Sequence, residues 1–456
     1  MNNAISVILT LVYIAIVATL VIKKVNSVFV FLMTGMGVLL IASLVTGTSV
    51  LGVDSTSGNL LIDVFVFSKD TFSSNLSGIG LTLMMITGYA MYMSHIGAST
   101  KLAYLAMKPL SKISNPYIVL GMLFVIGICL KLVITSAAGL GMLLMSIAFP
   151  ILISMGVSKT SASVVAVMCS FLDWGPNDSS AIFSAEQVCG MPMMQYFLSY
   201  QGRVGLILTL IAAVMLPIYL KAMDKKIVDK DVSVGGEKTT VDNPDCPGIY
   251  AVLPIVPLAL VTIFSFVPTI SLDVTTANLL SLVAAFLIEL IRRRSKEVPA
   301  DMAFVMKAMS NSYANVVSIL IGAAVFAKAI NVLGGITIIS NALATFKSAP
   351  ILTVAMMSLI TFLSGIVLGS GNASWYAFSP LVPDVASQMG LSAATIAVPM
   401  QLATSIGRSM SPVAGVVIAV SGMAGVDSQE VVKRCSVPVT FLFICNIIIS
   451  YIIVTL

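Results

Sequence analysis

The sequence predicts an all-α polytopic membrane protein with about ten transmembrane spans and two re-entrant hairpins, arranged as two inverted repeats. Its 456 residues are 58% hydrophobic and only 9% charged, with a mean hydropathy of +1.06, which excludes an ordinary soluble domain. Apolar runs of about 20 residues, long enough to cross roughly 30 Å of hydrocarbon, recur from end to end. Matching motifs also occur in the same order in both halves.

Ten of the apolar runs are predicted to be spans. They cover residues 5–22, 28–47, 76–95, 160–188, 202–220, 249–268, 275–291, 311–333, 391–424 and 436–456. We interpret two further pairs of runs, 117–134 with 139–155 and 351–368 with 374–386, as re-entrant hairpins. With that choice eighteen of the 24 basic residues lie on the cytoplasmic side, as the positive-inside rule favours. Both chain termini are then predicted to be periplasmic.

The charged and reactive residues exclude several classes of protein. Basic residues are scattered over short loops rather than patched, so no nucleic-acid partner is expected. The six cysteines have no Cys-x-x-Cys spacing and are expected to be small buried hydrophobes. The single histidine, His95, excludes a zinc-protease motif. The apolar N-terminus lacks a basic region and a cleavage site, so it is interpreted as a span rather than a signal peptide.

The two halves share four features at nearly equal spacing. Residues 155–162 and 389–396 both begin with Met-Gly-x-Ser, and a serine lies nineteen residues before each Met. A proline follows each Gly by twenty and twenty-two residues. We therefore predict a first repeat over 1–221, a cytoplasmic linker over 222–248 and a second repeat over 249–456. Short amphipathic segments at 100–114 and 336–349 precede the two hairpins and are expected to lie along the interface.

Four polar clusters interrupt the apolar runs. Two are the hairpin tips, 135–141 and 369–374, and two lie within spans that Gly and Pro break, 173–180 and 405–412. Amide groups at the N-termini of half-helices favour anions, whereas freed carbonyls and hydroxyls suit a cation such as Na⁺. Inverted repeats with broken helices are a recurrent architecture of secondary transporters. The clusters thus predict a site for a small anion, with a coupling cation or proton.

These clusters contain the candidate site residues. The candidate substrate ligands are Ser136, Asn177, Ser370, Asn372, Arg408 and Ser409. The candidates for a coupling ion or proton are Asp173, Asp178 and Ser179, and sodium sites are considered near Thr135, Ser136, Gly371 and Asn372. Other roles remain open: Arg408 as a structural salt bridge, Lys131 as a snorkelling or paired cation, and the two aspartates as helix caps or partners of Lys131 or Arg408.

The stretches 172–185, 363–380 and 401–417 resemble the ion transporter superfamily. Within it the whole chain is similar to the four-carbon dicarboxylate uptake C family of anaerobic bacteria. The resemblance implies a homodimeric inner-membrane carrier of succinate, fumarate and malate, which works by efflux, exchange or coupled transport. It also implies an elevator mechanism. A transport domain, about 116–221 and 350–456, slides against a scaffold, about 1–115 and 249–349.

The hairpin tips depart from the Ser-Asn-Thr triplets that several superfamily relatives use for Na⁺ and carboxylate. The first tip contains Thr135, Ser136 and two alanines, and the second contains Gly371, Asn372, Ala373 and Ser374. Sodium and proton coupling, the latter through an acid such as Asp178, therefore both remain open. No cofactor beyond such a coupling ion is expected.

Two other classes of function were compared with dicarboxylate transport. A carrier for another small anion, such as a monocarboxylate, citrate or an amino acid, would need much the same polar clusters. A cation antiporter would need membrane acids in both halves, whereas here they lie in the first. An intramembrane protease would need a Ser with a His or Lys partner, a His-Glu-x-x-His motif or a Gly-x-Gly-Asp motif. The last two are absent, and we expect a transporter rather than an enzyme.

Overall fold

The structure is a computed structural model that describes residues 8–455 except 11, 14–15, 18, 21–22, 24, 52–54, 226–243, 266, 268–269, 271, 296 and 335–349. Its described residues form helices and connecting turns, without a β-strand. Most of the predicted linker and the second amphipathic segment, 336–349, lie outside the described residues. Of the first predicted span, the residues described at 8–10, 12–13, 16–17 and 19–20 are helical.

The first half contains eleven numbered helices in the described part of the chain. They are α1 Ser27–Thr46, α2 Leu60–Asn75, α3 Leu81–His95, α4 Ala98–Met107, α5 Pro116–Lys131, α6 Ala137–Ile147, α7 Phe149–Ser154, α8 Lys159–Met168, α9 Ser179–Phe183, α10 Met193–Tyr196 and α11 Gly202–Lys225. π-Helical turns at Leu76–Gly80 and Phe197–Gln201 join consecutive helices, a third at Ser184–Val188 follows α9, and a 3₁₀ turn, Lys108–Lys112, follows α4.

The second half adds ten helices within the described ranges. They are α12 Val256–Ser265, α13 Val274–Arg293, α14 Met302–Ser312, α15 Ser318–Val332, α16 Pro350–Leu368, α17 Gly371–Phe378, α18 Val382–Met389, α19 Ala393–Arg408, α20 Gly415–Ala424 and α21 Ser428–Thr455. A π turn, Tyr313–Val317, joins α14 to α15, and 3₁₀ turns lie at Gly248–Ile255, Val298–Asp301 and Ser379–Leu381.

Seven helical segments of the described chain are long and apolar enough to cross a membrane. They are Ser27–Thr46, Leu60–His95, Met193–Lys225, Val274–Arg293, Val298–Val332, Pro350–Leu368 and Ser428–Thr455. Shorter apolar helices occur at Pro116–Lys131, Ala137–Ile147, Gly248–Phe264 and Gly415–Ala424. The expected all-α, multi-pass architecture is confirmed, and the total of ten spans stays a prediction.

One helix extends well beyond its predicted span. The run predicted at 76–95 belongs to a helical segment that begins at Leu60, because a π turn joins α2 to α3. The apolar pattern underestimated it because Asp63, Lys69 and Asp70 interrupt the hydrophobic residues of α2. Asp63 is buried, and its carboxylate accepts hydrogen bonds from the hydroxyls of Ser49 and Thr56, both at 2.6 Å. These hydroxyls let a helix begin with an acid in its first turn.

The two predicted broken spans are interrupted in the structure. The run 160–188 contains α8 and α9 separated by non-helical residues 169–178, and the run 391–424 contains α19 and α20 separated by 409–414. Gly175 has φ of 103°, a left-handed conformation that strongly favours glycine, and Pro412 lacks the N–H that would continue a helix. Each break leaves backbone amides and carbonyls without helical partners.

The predicted hairpins each consist of a long first arm and a short second arm. Helices α5 and α6 form the first, and α16 and α17 form the second. At 1.5 Å per residue, α6 is about 16 Å long and α17 about 12 Å, so neither alone crosses the hydrocarbon. Pro150 follows the end of α6 by three residues, and Pro380 follows α17 by two. Both second arms are thus interrupted at a proline.

The serines that begin the two hairpin second arms have the same local role. Ser136 Oγ accepts a hydrogen bond from Gly139 N at 3.1 Å, and Ser370 Oγ accepts one from Ala373 N at 3.2 Å. Each serine is therefore the N-cap of a helix whose first amides face the tip. The spacing that suggested a repeat corresponds here to the same turn in each half.

The Met-Gly-x-Ser motifs also have matching conformations. Gly156 and Gly390 are left-handed, with φ of 85° and 68°, and each follows the last turn of a helix. Ser158 and Ser392 then cap α8 and α19 by accepting the backbone N–H three residues further on. Both copies of the motif end one helix and begin the next.

Glycines allow each hairpin's first arm to lie against a broken helix. Gly127 of α5 faces Cys169 at the end of α8, and Gly407 of α19 faces the backbone carbonyl of Phe362 in α16. A methyl group at either glycine would overlap these neighbours. The close approach holds the tips beside the breaks, which is where the polar clusters meet.

Four predicted cytoplasmic helix ends meet around Asp224, the penultimate residue of α11. Its carboxylate accepts hydrogen bonds from Arg434 at 2.9 Å, Ser158 at 2.6 Å, Ser161 at 2.7 Å and Tyr117 at 3.2 Å. These partners lie in or next to the first two turns of α21, α8 and α5. The cluster therefore fixes the ends of one hairpin arm, one broken helix and two long helices on one side of the bundle.

Candidate functional site

The centre of the candidate site is a two-point ion pair between the two halves of the chain. Arg408, the last residue of α19, donates from Nη1 to Asp173 Oδ2 at 2.5 Å and from Nη2 to Asp173 Oδ1 at 3.0 Å. Nη2 also donates to the carbonyl of Ser170 at 2.5 Å. Both ionic residues are buried. Asp173 lies in the break of the first half, and Arg408 is the residue immediately before the break of the second half.

Lys131 extends this pair into a four-residue cluster. Its ammonium lies 3.2 Å from Asp173 Oδ1 and 3.2 Å from Asp178 Oδ2, and donates to the Thr135 carbonyl at 2.8 Å. The Lys131 side chain is completely buried. Because Lys131 ends α5 and Thr135 belongs to the first tip, this contact ties the tip to the broken span.

Asp178 has two roles in the structure. Its Oδ1 accepts hydrogen bonds from Ser180 N at 3.0 Å, Ser180 Oγ at 2.6 Å and Ala181 N at 3.4 Å, so it caps α9. Its Oδ2 faces Lys131. Asp178 is therefore both a helix cap and a partner of Lys131, the two roles that the sequence leaves open for it.

The cluster is balanced in formal charge. Lys131 and Arg408 supply two positive charges, and Asp173 and Asp178 supply two negative charges. Burying an unpaired charge in a membrane protein is costly, whereas a balanced and hydrogen-bonded group is tolerated. An anion added to this neighbourhood would therefore leave it with excess negative charge.

Two buried glutamines hold the broken backbone of the first half. Gln401 of α19 donates from Nε2 to the Asp173 carbonyl at 2.6 Å and to Ser180 Oγ at 2.7 Å. Gln201 donates to Gln401 Oε1 at 2.8 Å and accepts from Gly175 N at 3.1 Å. These side chains satisfy groups that lost their helical partners at the break.

The second hairpin tip lies directly on the ion pair. A Cβ added to Gly371 would lie 2.7 Å from Asp173 Oδ2 and 3.3 Å from Arg408 Nη1. The next residue, Asn372, donates from Nδ2 to Ser179 Oγ at 3.1 Å. Both tips therefore contact residues 173–179, the first through Lys131 and the second through Gly371 and Asn372.

Some buried polar atoms of the predicted site residues and of their neighbours have no hydrogen-bond partner among the described residues. They include Arg408 Nε, Asn372 Oδ1, Asn278 Oδ1 and Trp375 Nε1. Asn278, on α13, donates from Nδ2 to the Val274 carbonyl at 2.8 Å, and Asn177 Oδ1 lies 3.4 Å from the same nitrogen. In particular, Arg408 Nε has no acceptor, whereas Nη1 and Nη2 each have at least one.

A cavity of about 570 Å³ lies against the first tip. Its wall includes Thr135, Ser136 and Gly139 at the N-terminus of α6, and Thr87 and Ser94 of α3. A helix N-terminus and several hydroxyls suit an anion. Thr135 links the cavity to the ion cluster, because its backbone carbonyl accepts from Lys131.

The structure brings some of the predicted site residues together and leaves others apart. Asp173, Asp178 and Arg408 form the ion cluster, and Ser179 and Asn372 contact each other beside it. Ser136 lines the cavity, whereas Asn177 faces Asn278. The remaining two serines make local bonds: Ser370 caps α17, and buried Ser409 donates to the carbonyl of Ser405 at 3.2 Å.

Three structural participants were missed from the sequence. Gln201 and Gln401 support the break, and Ser405 Oγ accepts a hydrogen bond from Asp173 N at 3.0 Å. Gln401 lay within an apolar run, where an isolated amide is a signal of a buried polar contact. The other two residues had no such signal. Gln201 directly precedes the apolar run 202–220, and Ser405 is the first residue of the polar cluster 405–412, so neither stands out as an isolated polar residue.

Paired hairpins, paired broken helices and freed backbone groups around a buried ionic cluster are the architecture of secondary transporters. The fold and the site therefore define this chain as a multi-pass membrane transporter. A family model described as "DcuC: C4-dicarboxylate anaerobic carrier" matches residues 1–455. The chain belongs to this DcuC family. Membership confirms the predicted resemblance and the expectation of a transporter rather than an enzyme.

Relatives align over almost the full chain. The anaerobic C4-dicarboxylate transporter DcuC of Escherichia coli K12 is 31% identical over 427 residues, 93% of this chain and 91% of its own length. The probable anaerobic C4-dicarboxylate transporter DcuC of Vibrio cholerae is 33% identical over 413 residues, 90% and 89% of the two chains.

A solved structure shares the fold. The crystal structure of the YdaH transporter of Alcanivorax borkumensis, described as revealing an unusual topology, superposes with a TM-score of 0.56 at 13% identity. The match covers 93% of this chain and 97% of that one. The fold therefore recurs in a transporter of very different sequence.

Proposed function

We propose that the protein is a secondary carrier of four-carbon dicarboxylates such as succinate, fumarate and malate. The observation that carries this proposal is the meeting of both hairpin tips and both broken spans at one buried ion cluster, beside a cavity that reaches a helix N-terminus. The relatives from Escherichia coli and Vibrio cholerae are named as C4-dicarboxylate transporters, which supports the substrate class.

The two tips offer one pole for each carboxylate of the substrate. At the first tip the donors are the amides that begin α6 and the hydroxyl of Ser136. At the second tip they are the amides that begin α17, the side chain of Asn372 and the free Nε of Arg408. Ser370, Ser409 and Asn177 flank these donors and complete the proposed site.

In this site Arg408 is first a partner of Asp173 and second a candidate ligand. Asp173 and the Ser170 carbonyl use three of its five N–H donors, so a carboxylate could bind through Nε and the second hydrogen of Nη1, or through donors that Asp173 releases. Protonation of Asp173 would weaken its bonds to Arg408, and protonation of Asp173 and Asp178 together would balance the two charges of an entering dianion. Proton coupling through Asp178, which faces Lys131 and lies at the break, follows from this balance.

We further propose an elevator mechanism, with a transport domain of about 116–221 and 350–456 and a scaffold of about 1–115 and 249–349. Within the proposed scaffold, α1 packs on α15, and α3 packs on α13 and α14. Within the proposed transport domain, α16 packs on α19, α6 on α20 and α11 on α21. The carrier is proposed to be a homodimer in the bacterial inner membrane, with both termini periplasmic.

Counterflow in proteoliposomes tests the proposed function. Purified protein would be reconstituted in vesicles loaded with unlabelled succinate, fumarate, malate, citrate, lactate or aspartate, and labelled succinate would be added outside. We expect transient accumulation of label in vesicles loaded with the first three compounds and not in those loaded with lactate or citrate. An absence of accumulation in vesicles loaded with succinate, fumarate or malate, or equal accumulation in vesicles loaded with lactate, would overturn the substrate class.

A further inference from the structure

The Lys131 ammonium occupies an oxygen-lined position of a kind that metal cations occupy in other proteins. Three oxygens surround it: the Thr135 carbonyl at 2.8 Å, Asp173 Oδ1 at 3.2 Å and Asp178 Oδ2 at 3.2 Å. They come from the first hairpin tip, the break in the first span and the cap of α9. An ammonium has three donors, and all three have an acceptor here.

The charges around this position require one monovalent cation. Asp173 keeps the Arg408 guanidinium whether or not Lys131 is present. Asp178, in contrast, makes its only ion pair in the described part of the chain with Lys131. Carboxylate and carbonyl oxygens are also the ligands that hard metal cations prefer. Without the lysine, the position would hold one uncompensated negative charge and three inward-facing oxygens.

We propose that Lys131 is a resident cation, covalently tethered at the first hairpin tip in a site that otherwise accepts Na⁺ or K⁺. The carrier then binds no free metal cation at this tip, and its charge balance on substrate entry depends on protons. The inference rests on the proposed function for its meaning in transport. The claim that the Lys131 ammonium occupies a position suited to Na⁺ or K⁺ can be tested without a transport assay.

The test removes the tethered charge and asks whether a metal cation replaces it. Lys131→Ala would be purified in NaCl, KCl or N-methyl-D-glucamine chloride at equal ionic strength, and its thermal unfolding measured in each. At a metal concentration about tenfold above the dissociation constant, we expect the Tm in NaCl or KCl to exceed that in the organic salt by at least about 2 °C. Recovery of folded protein only in a metal salt would support the proposal equally.

A matched variant separates this effect from general salt effects. Lys131→Ala combined with Asp178→Asn removes the lysine together with the charge that it balances, so its Tm should be the same in all three salts. The wild-type Tm should likewise be independent of the cation. The proposal is overturned if folded Lys131→Ala shows no preference for a metal salt or is recovered in none of the salts. It is also overturned if the wild type already shows the preference.

The same salts separate this inference from the proposed function. Wild-type succinate counterflow that is unchanged when Na⁺ and K⁺ are replaced by N-methyl-D-glucamine supports the tethered cation, and counterflow that requires Na⁺ overturns it. An absence of counterflow in every salt would count against the proposed function. The Tm comparison would then still decide the nature of the Lys131 position.

Discussion

Asp173 and Arg408 lie 235 residues apart in the chain, yet they form a buried two-point ion pair with N–O distances of 2.5 and 3.0 Å. Asp173 belongs to the break in the first half, and Arg408 ends the helix that precedes the break in the second half. The pair joins the two halves at the point where both hairpin tips arrive. Its loss should therefore affect both folding and transport.

Arg408→Ala should destabilise the protein and abolish transport. Removing one partner of a buried ion pair typically costs about 3–5 kcal/mol, because the other charge stays buried. Lys131 would still face Asp173, so the loss should lie at the lower end of that range. Thermal unfolding in detergent and succinate counterflow measure the two effects.

A double variant distinguishes a structural role of Arg408 from a ligand role. Asp173→Asn with Arg408→Gln removes both charges and should recover most of the stability lost in Arg408→Ala. If Arg408 also binds the substrate carboxylate, the double variant stays inactive although it is folded. Recovery of succinate counterflow together with stability would show that Arg408 acts only through Asp173.

Asp178→Asn should separate coupling from exchange. Asparagine is as good an N-cap as aspartate, so the bonds to the amides of Ser180 and Ala181 are retained while the charge is lost. We expect uptake driven by a pH gradient to fall at least tenfold, whereas succinate counterflow continues. Gradient-driven uptake at the wild-type rate would assign the coupling proton to another group.

Gln401→Ala should weaken the support of the first break. The substitution removes the shorter of the two hydrogen bonds to the Asp173 carbonyl, which keeps only the 3.5 Å contact with Gln201 Nε2, and it removes the donor to the hydroxyl of Ser180. Each buried group left unsatisfied costs about 1–3 kcal/mol. We expect a lower Tm and a slower counterflow. Gln429→Ala, at an exposed glutamine near the start of α21, is the matched control and should change stability by less than about 0.5 kcal/mol. Equal behaviour of the two variants would contradict the role of Gln401.

Gly371→Ala should push the second tip away from the ion pair. The added methyl group would lie 2.7 Å from Asp173 Oδ2, and overpacking of this kind costs about 1–3 kcal/mol. The control is Gly422→Ala in α20, where no atom lies within 4 Å of the new methyl group and the helix gains about 0.5–1 kcal/mol. Apparent affinity for succinate, measured by counterflow, should fall only in Gly371→Ala. Wild-type affinity in that variant would show that the tip does not touch the site.

Much of the architecture was predictable because hydrophobic length, Gly and Pro act locally. The runs around 28–47, 275–291 and 351–368 correspond to α1, α13 and α16 within a few residues. The Met-Gly-x-Ser copies predicted matching turns, and the structure has a left-handed glycine and a serine cap in each. The N-terminal part of α2 was not predictable in this way, because its buried acid, Asp63, is satisfied by loop hydroxyls that hydropathy does not register.

The candidate site was predictable as a set of residues but not as a set of contacts. An Arg in a broken apolar run indicates a partner, and the pairing of Lys131 and Arg408 with membrane acids was among the alternatives left open. Which acid pairs with which cation depends on contacts between the halves, as does the bridge from Gln401 to Gln201. Such long-range pairs leave no periodic signal in a single sequence.

If both hairpin tips line one dicarboxylate site, succinate should shield both tips from chemical modification. The measurement uses Ser136→Cys, Ser370→Cys and, as a control on an exposed π turn, Ser77→Cys, each in a background without the six native cysteines. The rate of reaction with a maleimide would be compared in succinate and in acetate. We predict that succinate slows the reaction several-fold at both tips and leaves the control unchanged. Equal rates in succinate and acetate at both tips, in protein that still performs succinate counterflow, would contradict this site.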